Sequence, residues 1–458
     1  MDKIKLLQSR RRSLMDAGKG IRKDIEAVID SESFVELSTF SFSKSEFYDD
    51  DAQGEGVVTG FATVNGYPFY IVAQNAAVLS GGVGKANSKK IVKCLESAEK
   101  NHTPVIYFLS SLGVRYGEGI SALEGIAELI LTVARLKGSI EQYLVVNGEV
   151  YGQIAMLAAL CDFNFFIDKK SVLAVNSPLV IGAADNLNLK KEQVGSASAL
   201  KNAQLATFTV KDLAEVKGKI TSVCELLQNR VTDCEELNIS LPELNKAADA
   251  KALMNVFDKD SAIELGASYV PEVKCLIGRI GGITVAASIF DAKGGVKLDA
   301  QTARKLKDFA EFVCCRDLPY VTFVNTLGIR ENVGVNDSLV LKELGEYINM
   351  LDCMTSPRVS VVYGKAIGLG YTVFASKSMG YDFTYAFANA QIALFDGVQG
   401  AEIEFEKVKK LNKTKLAERY ASENADPVNA AQDGYIDDII EPAFVRQYLI
   451  ASLQMALK

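Results

Sequence analysis

The sequence TPVIYFLSSLGVR at residues 103–115 returns as LPYVTFVNTLGIR at residues 318–330, which lies 215 positions later. A second pair follows at nearly the same spacing, VVNGEVYG at 145–152 and VVYGKAIG at 361–368. Matched segments that recur in the same order indicate an internal repeat, and a period this long does not suit a solenoid. The chain is therefore expected to contain two copies of one domain.

A third pair of segments precedes the other two, VIDSESFVEL at 28–37 and VFDKDSAIEL at 256–265. The chain has 458 residues, enough for two domains of ordinary size that each bury a core. We place the N-terminal domain at 1–225 and the C-terminal domain at 226–458. The polar, helix-prone stretch 211–250 is expected to connect them.

Short apolar segments alternate with helical periodicity in both halves. In the first half, 56–75 predicts a hairpin around Asn65-Gly66, since Asn-Gly between apolar runs favours a tight hairpin turn. A helix is predicted at 85–100, then a buried strand at 105–109 and another at 143–146. This alternation indicates an α/β fold with buried sheets.

The composition is that of a soluble globular protein, with 48% hydrophobic and 23% charged residues. The net charge of −7 disfavours nonspecific binding to nucleic acid. The N-terminus lacks the apolar region of a secretory signal, and no run of apolar residues is long enough to span a membrane. The eight cysteines are scattered, which predicts buried free thiols in a reducing compartment, and we expect the cytoplasm.

The common nucleophilic and metal-dependent mechanisms find little support. His102 is the only histidine, in a connection predicted to be an exposed loop, and no G-x-S-x-G motif accompanies it. No cluster of histidines or cysteines has metal-ligand spacing, so we predict no metal site. The acidic segment YDDDAQGEG at 48–56 is interpreted as a solvated loop.

Glycine-bearing turns between a strand and a helix occur four times, around Gly113, Gly152, Gly328 and Gly368. Such turns present backbone N–H groups at the N-terminus of a helix. These donors can stabilise an oxyanion without any ionisable side chain, and the negative charge that develops on a thioester carbonyl suits them.

A further glycine-rich loop, SGGVGKANS at 80–88, opens the helix predicted at 85–100. It lacks the spacing of a P-loop, because Leu79 occupies the position where that motif requires glycine. Two interpretations remain open for Gly81 and Gly82. The loop either holds an anionic group on its free N–H groups or forms a turn with a helix cap.

From about residue 24 to 457 the chain resembles the carboxyltransferase β subunit of biotin-dependent acyl-CoA carboxylases of the propionyl-CoA carboxylase type. The matching segments occur in order: GEGVVTGFATVNGYP, GGVGKANSKKI, LSSLGVRYGEGISAL, LPYVTFVNTLGI, GKAIGLGYTVFASKSMGYD, ANAQIALFDGVQGAEI and DPVNAAQDGYIDDIIEP. The resemblance implies two tandem crotonase-like domains with ββα-superhelix architecture, an α/β class.

The resemblance also implies site residues. The acyl-CoA thioester oxygen would lie near Gly152 and Gln153, with Gly81, Gly82 and Gly113 on the substrate side. Carboxybiotin would lie near Leu369 and Gly370 of the opposite subunit, beside Gly328 and Gly368. CO2 would pass from carboxybiotin to the α-carbon of a short acyl-CoA, such as acetyl-CoA or propionyl-CoA, through an enolate held by backbone N–H groups.

The implied partners are a biotin carboxylase, a biotin carrier protein and further copies of the chain, as a dimer or a hexamer built from three dimers. No cofactor would be bound covalently, since biotin comes on the carrier and coenzyme A comes as the thioester. The α subunit of a decarboxylase for methylmalonyl-CoA or glutaconyl-CoA is an alternative. A non-catalytic assembly subunit is another, because Gln153-Ile154 replaces the Gly-Ala that usually follows Gly152.

Overall fold

The chain divides into two compact units, Met1–Cys224 and Glu225–Lys458. The structure is a computed structural model, which describes residues 2–41, 52–200, 203–331, 335–404 and 413–457. Each unit contains its own sheet, with helices on its faces.

The first unit begins with two helices and then builds a sheet from the described residues. Its strands are β1 (Val35–Leu37), β2 (Val57–Val64), β3 (Tyr67–Gln74), β4 (Val105–Ser111), β5 (Gln142–Tyr151), β6 (Phe163–Ile167), β7 (Val172–Ala174) and β8 (Phe208–Val210). Its helices are α1 (Lys3–Ala17), α2 (Lys19–Glu26), α3 (Lys85–Lys100), α4 (Ile120–Leu136), α5 (Leu157–Leu160), α6 (Pro178–Asp185), α7 (Lys191–Gly195), α8 (Ala197–Leu200) and α9 (Leu213–Gln228), which crosses the unit boundary.

The second unit repeats this series. Its strands are β9 (Ile263–Leu265), β10 (Val273–Ile280), β11 (Ile283–Phe290), β12 (Val296–Leu298), β13 (Tyr320–Ile329), β14 (Arg358–Ile367), β15 (Phe383–Phe387), β16 (Gln391–Ala393) and β17 (Asp438–Ile440). Its helices are α10 (Ala250–Leu253), α11 (Ala300–Arg316), α12 (Val335–Cys353), α13 (Leu369–Phe374), α14 (Gly397–Glu404), α15 (Lys413–Asn424), α16 (Pro427–Gln432) and α17 (Val445–Ala456).

The two sheets have equivalent topology. The first runs β1-β2-β3-β4-β5-β6-β8 with β7 also paired to β5, and the second runs β9-β10-β11-β13-β14-β15-β17 with β16 paired to β14 and β12 to β13. In both, the first two pairings are antiparallel and the later ones are parallel. Parallel strands end at a common edge, so the turns that follow β4 and β5, or β13 and β14, come together. The α/β prediction is confirmed.

The cores explain why the strands read as continuous apolar runs. In β4, Val105, Tyr107 and Leu109 pack in a cluster with apolar residues of α3 and α4, such as Leu95 and Leu129. The intervening residues of β4 are also buried, so both faces of the strand are covered. This is the environment that a parallel sheet requires.

The predicted hairpin is confirmed, and the same turn occurs in both units. In the first, Asp30 accepts the N–H groups of Asn65 and Gly66 at 2.9 and 2.8 Å. In the second, Asp258 accepts those of Gly281 and Gly282 at 2.8 and 2.7 Å. Each aspartate comes from the third repeated segment, and its carboxylate satisfies donors that the tight turn leaves without a partner.

The hydrogen bonds that the Asp30 carboxylate accepts from the hairpin predict a pH-dependent contribution to stability. Burial acts to raise the pKa of Asp30, but hydrogen bonds from the hairpin and from Lys217 favour the carboxylate and lower its pKa from 3.8 to about 2. The pKa is depressed on folding, so the contribution is complete above pH 3.8 and is lost as the pH falls towards 2. Asp30→Asn should lower the free energy of unfolding at pH 7 by about 1–2 kcal/mol, discounted for partial exposure.

Denaturant unfolding at several pH values tests this prediction. The difference between the wild type and Asp30→Asn should shrink between pH 4 and pH 2. Asp233→Asn, which alters an exposed carboxylate in the second unit, provides the matched control. A difference that stays constant down to pH 2 would contradict the assignment.

A buried lysine recurs 215 positions apart, as Lys90 in α3 and Lys305 in α11. The Lys90 ammonium donates to the carbonyl oxygens of Gly54 and Val57 at 2.9 and 2.6 Å. Lys305 donates to three loop carbonyls, the nearest being that of Tyr269 at 2.5 Å. Burial lowers the pKa of both lysines, that of Lys90 to about 8, so each helix holds a loop to its sheet at a cost in desolvation.

The stretch 211–250 contains the boundary between the two units, and α9 crosses that boundary. The stretch is polar only in part, because α9 buries Val216, Ile220 and Val223. Two further expectations are wrong in part. The acidic segment 48–56 is not uniformly solvated, because the side chain of Glu55 is fully buried, while 48–51 lie outside the described residues. The cysteines were expected to be buried, but Cys315 and Cys353 are exposed.

Candidate functional site

Each unit carries a sharp bend where a ten-residue parallel strand ends, β5 in the first unit and β14 in the second. After β5, Gly152 has φ 81° and ψ −164°, and after β14, Gly368 has φ 54° and ψ −120°. A side chain is disfavoured at positive φ, so glycine permits the strand to turn directly into a helix. The helical turn Gln153–Met156 follows the first bend, and α13 follows the second.

The bends leave backbone donors free beside the glycines. Gly152 and Gly368 themselves donate to the carbonyl oxygens of Val175 and Ala393, at 2.9 and 2.8 Å. The next two residues of each bend, Gln153 with Ile154 and Leu369 with Gly370, occupy the first two helical positions, where no intrahelical acceptor exists. No residue in the described part of the chain accepts their N–H groups. Each bend therefore offers two adjacent donors.

The predicted glycines at the neighbouring strand ends lie against these bends. A β-carbon on Gly152 would come within 3.2 Å of Gly113 Cα, and one on Gly328 within 4.0 Å of Gly370 N. Gly113 donates its N–H to Ser111 Oγ at 3.3 Å, and Gly328 donates to Thr326 Oγ1 at 3.1 Å. These two glycines therefore shape the walls of the bends while their own N–H groups are engaged.

Gly81 and Gly82 join the first cluster. Their N–H groups donate to the carbonyl oxygens of Val78 and Leu79, at 3.0 and 2.8 Å, so the loop is a hydrogen-bonded turn. A β-carbon on Gly81 would come within 2.2 Å of the carbonyl oxygen of Ser110, so no side chain fits there. The structure thus brings Gly81, Gly82, Gly113, Gly152 and Gln153 together in the first unit. It brings Gly328, Gly368, Leu369 and Gly370 together in the second.

The ionisable groups closest to the first bend pair with one another. The Tyr151 hydroxyl donates to Glu149 at 3.1 Å, and Lys191 pairs with the same carboxylate at 2.9 Å. Burial and the neighbouring Glu149 raise the pKa of Tyr151, so its phenol stays protonated at neutral pH. Over the described ranges, no group of three or more His, Cys, Asp or Glu side chains could hold a metal ion. The chemistry available at the bend is thus mainly that of its N–H groups.

A cavity of about 430 Å³ opens beside the first bend. Its lining includes Ser80, Ser110, Leu112, Glu149, Lys169, Lys170 and Lys191. Lys170 is oriented by a chain of hydrogen bonds, in which its ammonium donates to Asn147 Oδ1 at 2.7 Å and Asn147 donates to Asp24 at 2.6 Å. Three lysines against one carboxylate favour an anionic ligand in this cavity.

Sequence reasoning missed these lysines. Lys169 and Lys170 follow β6 in an ordinary polar turn, and Lys191 begins α7, so nothing in their spacing associates them. Only the strand order could have indicated them. Because β6 and β7 run parallel to β5, the residues that follow them lie at the sheet edge where β5 ends. The buried Arg115, which closes the first repeated segment, was also missed as a structural residue.

Comparison with known proteins identifies the family. Residues 16–458 match the family described as Carboxyl transferase domain, and the chain belongs to that family. A putative propionyl-CoA carboxylase beta chain of Bacillus subtilis is 28% identical, over 98% of this chain and 92% of the relative. Methylmalonyl-CoA decarboxylase subunit alpha of Propionigenium modestum is 27% identical, over 95% and 89%.

Solved structures establish the fold. The transcarboxylase 12S crystal structure, a hexamer with methylmalonyl-coenzyme A and methylmalonic acid bound, superposes with a TM-score of 0.91 at 22% identity. That match covers 99% of this chain and 95% of the other. The expected tandem crotonase-like fold is confirmed. No helix in the described part of the chain is both long and apolar enough to cross a membrane.

Proposed function

We propose that this chain is the carboxyltransferase subunit of a biotin-dependent acyl-CoA carboxylase, which transfers CO2 from carboxybiotin to the α-carbon of a short acyl-CoA. The observation that carries the proposal is the pair of open N–H groups at each of the two strand-end bends. Membership of the carboxyl transferase family and the likeness to propionyl-CoA carboxylase beta chains support it.

In the first unit, the thioester oxygen of acyl-CoA would accept hydrogen bonds from Gln153 and Ile154. When the α-proton leaves, negative charge accumulates on that oxygen, and two fixed dipoles stabilise it without reorganisation. Gly113 packs against Gly152, the residue immediately before these donors. The side chain of Gln153 is exposed, so it leaves the backbone donors accessible.

In the second unit, the ureido oxygen of carboxybiotin would accept hydrogen bonds from Leu369 and Gly370. Biotin, brought by a carrier protein, supplies the CO2 and the nitrogen that takes the α-proton, so no protein base is needed. Gly370 is buried, and a β-carbon added there would come within 2.5 Å of Thr326 Cγ2, so a side chain does not fit at this position. The residues of this chain thus contribute donors and shape.

The lysine-lined cavity beside the first bend is the proposed binding site for the phosphates of coenzyme A. Its lining residues Leu112 and Glu149 lie one and three positions before Gly113 and Gly152 in the sequence. A phosphate on Lys170 would replace no internal salt bridge, since Asn147 is a neutral acceptor. The cavity therefore offers a positively charged ammonium group to a phosphate without the loss of an existing ion pair.

Lys170→Ala should raise the KM for acyl-CoA about fivefold to tenfold while kcat changes less than twofold, because the phosphates bind equally in the ground and transition states. Lys100→Ala is the control, since it removes an exposed lysine from the far end of α3. Steady-state kinetics at two ionic strengths measure both. An equal change in both variants would contradict the assignment.

The proposed partners are a biotin carboxylase, a biotin carrier protein and further copies of this chain, as a dimer or hexamer in the cytoplasm. Both units expose apolar side chains beyond their bends, such as Leu179 at 83% and Leu394 at 70%. Burial of these side chains against another subunit would remove apolar surface from water. Sedimentation of the purified chain should give a dimer or hexamer, and a stable monomer would argue against it.

A decarboxylase α subunit is the alternative, favoured by the likeness to methylmalonyl-CoA decarboxylase subunit alpha of Propionigenium modestum and Veillonella parvula. Both reactions pass through the same enolate and use the same N–H donors. They are separated by which partner restores full activity, a biotin carboxylase or a membrane-bound decarboxylase subunit.

The test of the function is a transfer assay with malonyl-CoA or methylmalonyl-CoA and free biotin or a biotinylated carrier. Formation of carboxybiotin and acetyl-CoA or propionyl-CoA is the expected result. No turnover and no binding of coenzyme A, with tight binding to a paralogous subunit, would favour an assembly role.

A further inference from the structure

We propose that Arg115 is a positioning residue for the acyl-CoA bend, acting through a buried ion pair with Glu55. The inference rests on the proposed function, because it concerns the alignment of the donors at Gln153 and Ile154. Arg115 is 5% exposed and Glu55 is fully buried. No equivalent buried pair is present among the described residues around Arg330, the corresponding residue of the second unit.

The Arg115 guanidinium holds three separate segments. It pairs with Glu55 Oε2 at 2.8 Å and donates to the backbone oxygen of Glu55 at 2.9 Å. Its Nε donates to the carbonyl oxygen of Gly82 at 3.0 Å. The guanidinium also lies 3.3 Å from Glu118 Oε1. The other carboxylate oxygen of Glu118 accepts the N–H of Lys85, the first residue of α3, at 2.7 Å.

The loop that Arg115 holds is joined to the bend by backbone contacts. Val83 donates to the carbonyl oxygen of Gly113 at 2.9 Å, and Arg115 donates its own N–H back to Val83 at 2.9 Å. Leu112 donates to the carbonyl oxygen of Ser80 at 3.1 Å. Gly113 in turn packs on Gly152, the residue immediately before the open donors. A shift of the guanidinium is thus transmitted to the wall of the site.

The second unit achieves the same backbone pattern without a buried charge. Arg330 donates its N–H to the carbonyl oxygen of Leu298 at 2.8 Å, as Arg115 does to Val83. Its side chain is 52% exposed and lies 3.6 Å from Asp299, itself partly exposed. Pro271 stands 216 positions after Glu55, at the spacing that relates the two hairpins, so the buried carboxylate has no counterpart there.

This difference argues for a positioning role rather than a general stabilising one. A buried ion pair often contributes little net stability, because desolvation offsets the attraction. Glu55 also adopts φ 59°, a conformation that is unfavourable for a residue with a side chain. The second unit has similar backbone strain in the corresponding loop, at Val270 with φ 45°, but no buried charge pair at Arg330. The first unit therefore accepts one cost that the second unit avoids here, the burial of an ion pair, and what it gains is a fixed loop beside the acyl-CoA bend.

Arg115→Lys tests the proposal, because lysine keeps the charge but cannot hold Glu55, Gly82 and Glu118 in one plane. We expect kcat to fall about tenfold to a hundredfold with the KM for acyl-CoA changed less than threefold, since small misplacement of reacting groups lowers the rate steeply. Arg330→Lys is the matched control and should keep both constants within twofold. Glu118→Gln, a milder change to the same network, provides a second variant if Arg115→Lys folds poorly.

Hydrogen exchange gives a readout that does not depend on turnover. The amide hydrogens of peptides covering 111–115 and 151–156 should exchange faster in Arg115→Lys than in the wild type. In Arg330→Lys their exchange rates should equal those of the wild type. Wild-type turnover alone decides the proposed function, whereas the ratio between variants and the exchange pattern decide the role of Arg115. Unchanged exchange in a folded Arg115→Lys, or equal losses in both lysine variants, would overturn the inference.

Discussion

Gln153→Pro should lower kcat for carboxyl transfer by about 10²–10³-fold, the loss seen when one oxyanion donor is removed. Gln153 is the first residue of its helical turn, a position that tolerates proline because its N–H has no intrahelical acceptor. The substitution therefore removes one donor with little expected effect on the backbone. The thioester oxygen would keep Ile154 and lose its other hydrogen bond when the enolate forms.

Gln153→Ala provides the control, because it removes the exposed side chain and keeps the N–H. We expect Gln153→Ala to retain kcat within about fivefold and both variants to bind coenzyme A as the wild type does. Single-turnover kinetics and calorimetry measure these quantities. If the proline and alanine variants lose activity equally, the side chain matters and the backbone donor does not.

Leu369→Pro should produce a loss of similar size in the other half-reaction. Leu369 holds the first position of α13, so proline fits the helix there and removes one of the two donors assigned to carboxybiotin. Acyl-CoA binding should be unaffected, because the substitution lies in the second unit. Transfer to or from biotin should fall by about 10²–10³-fold.

Leu369→Ala is the matched control, since it shortens a half-buried side chain and retains the donor. Its kcat should remain within an order of magnitude of the wild type, and its KM for biotin should carry most of the change. A Leu369→Pro enzyme that folds and transfers CO2 at the wild-type rate would remove Leu369 from the site.

The fold could be predicted from the sequence because the repeat and the strand periodicity are local signals. TPVIYFLSSLGVR and LPYVTFVNTLGIR each contain a buried strand and a glycine with positive φ near its end, Gly113 in the first and Gly328 in the second. The Asn65-Gly66 hairpin was readable for the same reason, since φ is positive at both residues and few other pairs adopt it readily.

The sequence could predict the turns that form the site, but not which of their N–H groups lack an acceptor. Sequence indicates that Gly152 bends the chain, but hydrogen bonding decides which N–H groups stay open, and the acceptors are distant in sequence. Val175 accepts from Gly152 and Ala393 from Gly368, pairings that depend on the short strands β7 and β16. The burial of Glu55 was hidden likewise, because its partner Arg115 lies 60 residues further along.

The hydrogen bonds made by the two hairpin aspartates and by the two buried lysines each form within a single repeat. Asp30 and Lys90 bond within the first repeat, and Asp258 and Lys305 bond within the second. After the ancestral gene doubled, neither copy depended on the other to keep its hairpin or first helix in place. Substitutions at the strand ends of one repeat would therefore not disturb the hairpin or the lysine-bearing helix of the other repeat. Such independence would allow the two bends to diverge towards the two different ligands proposed for them.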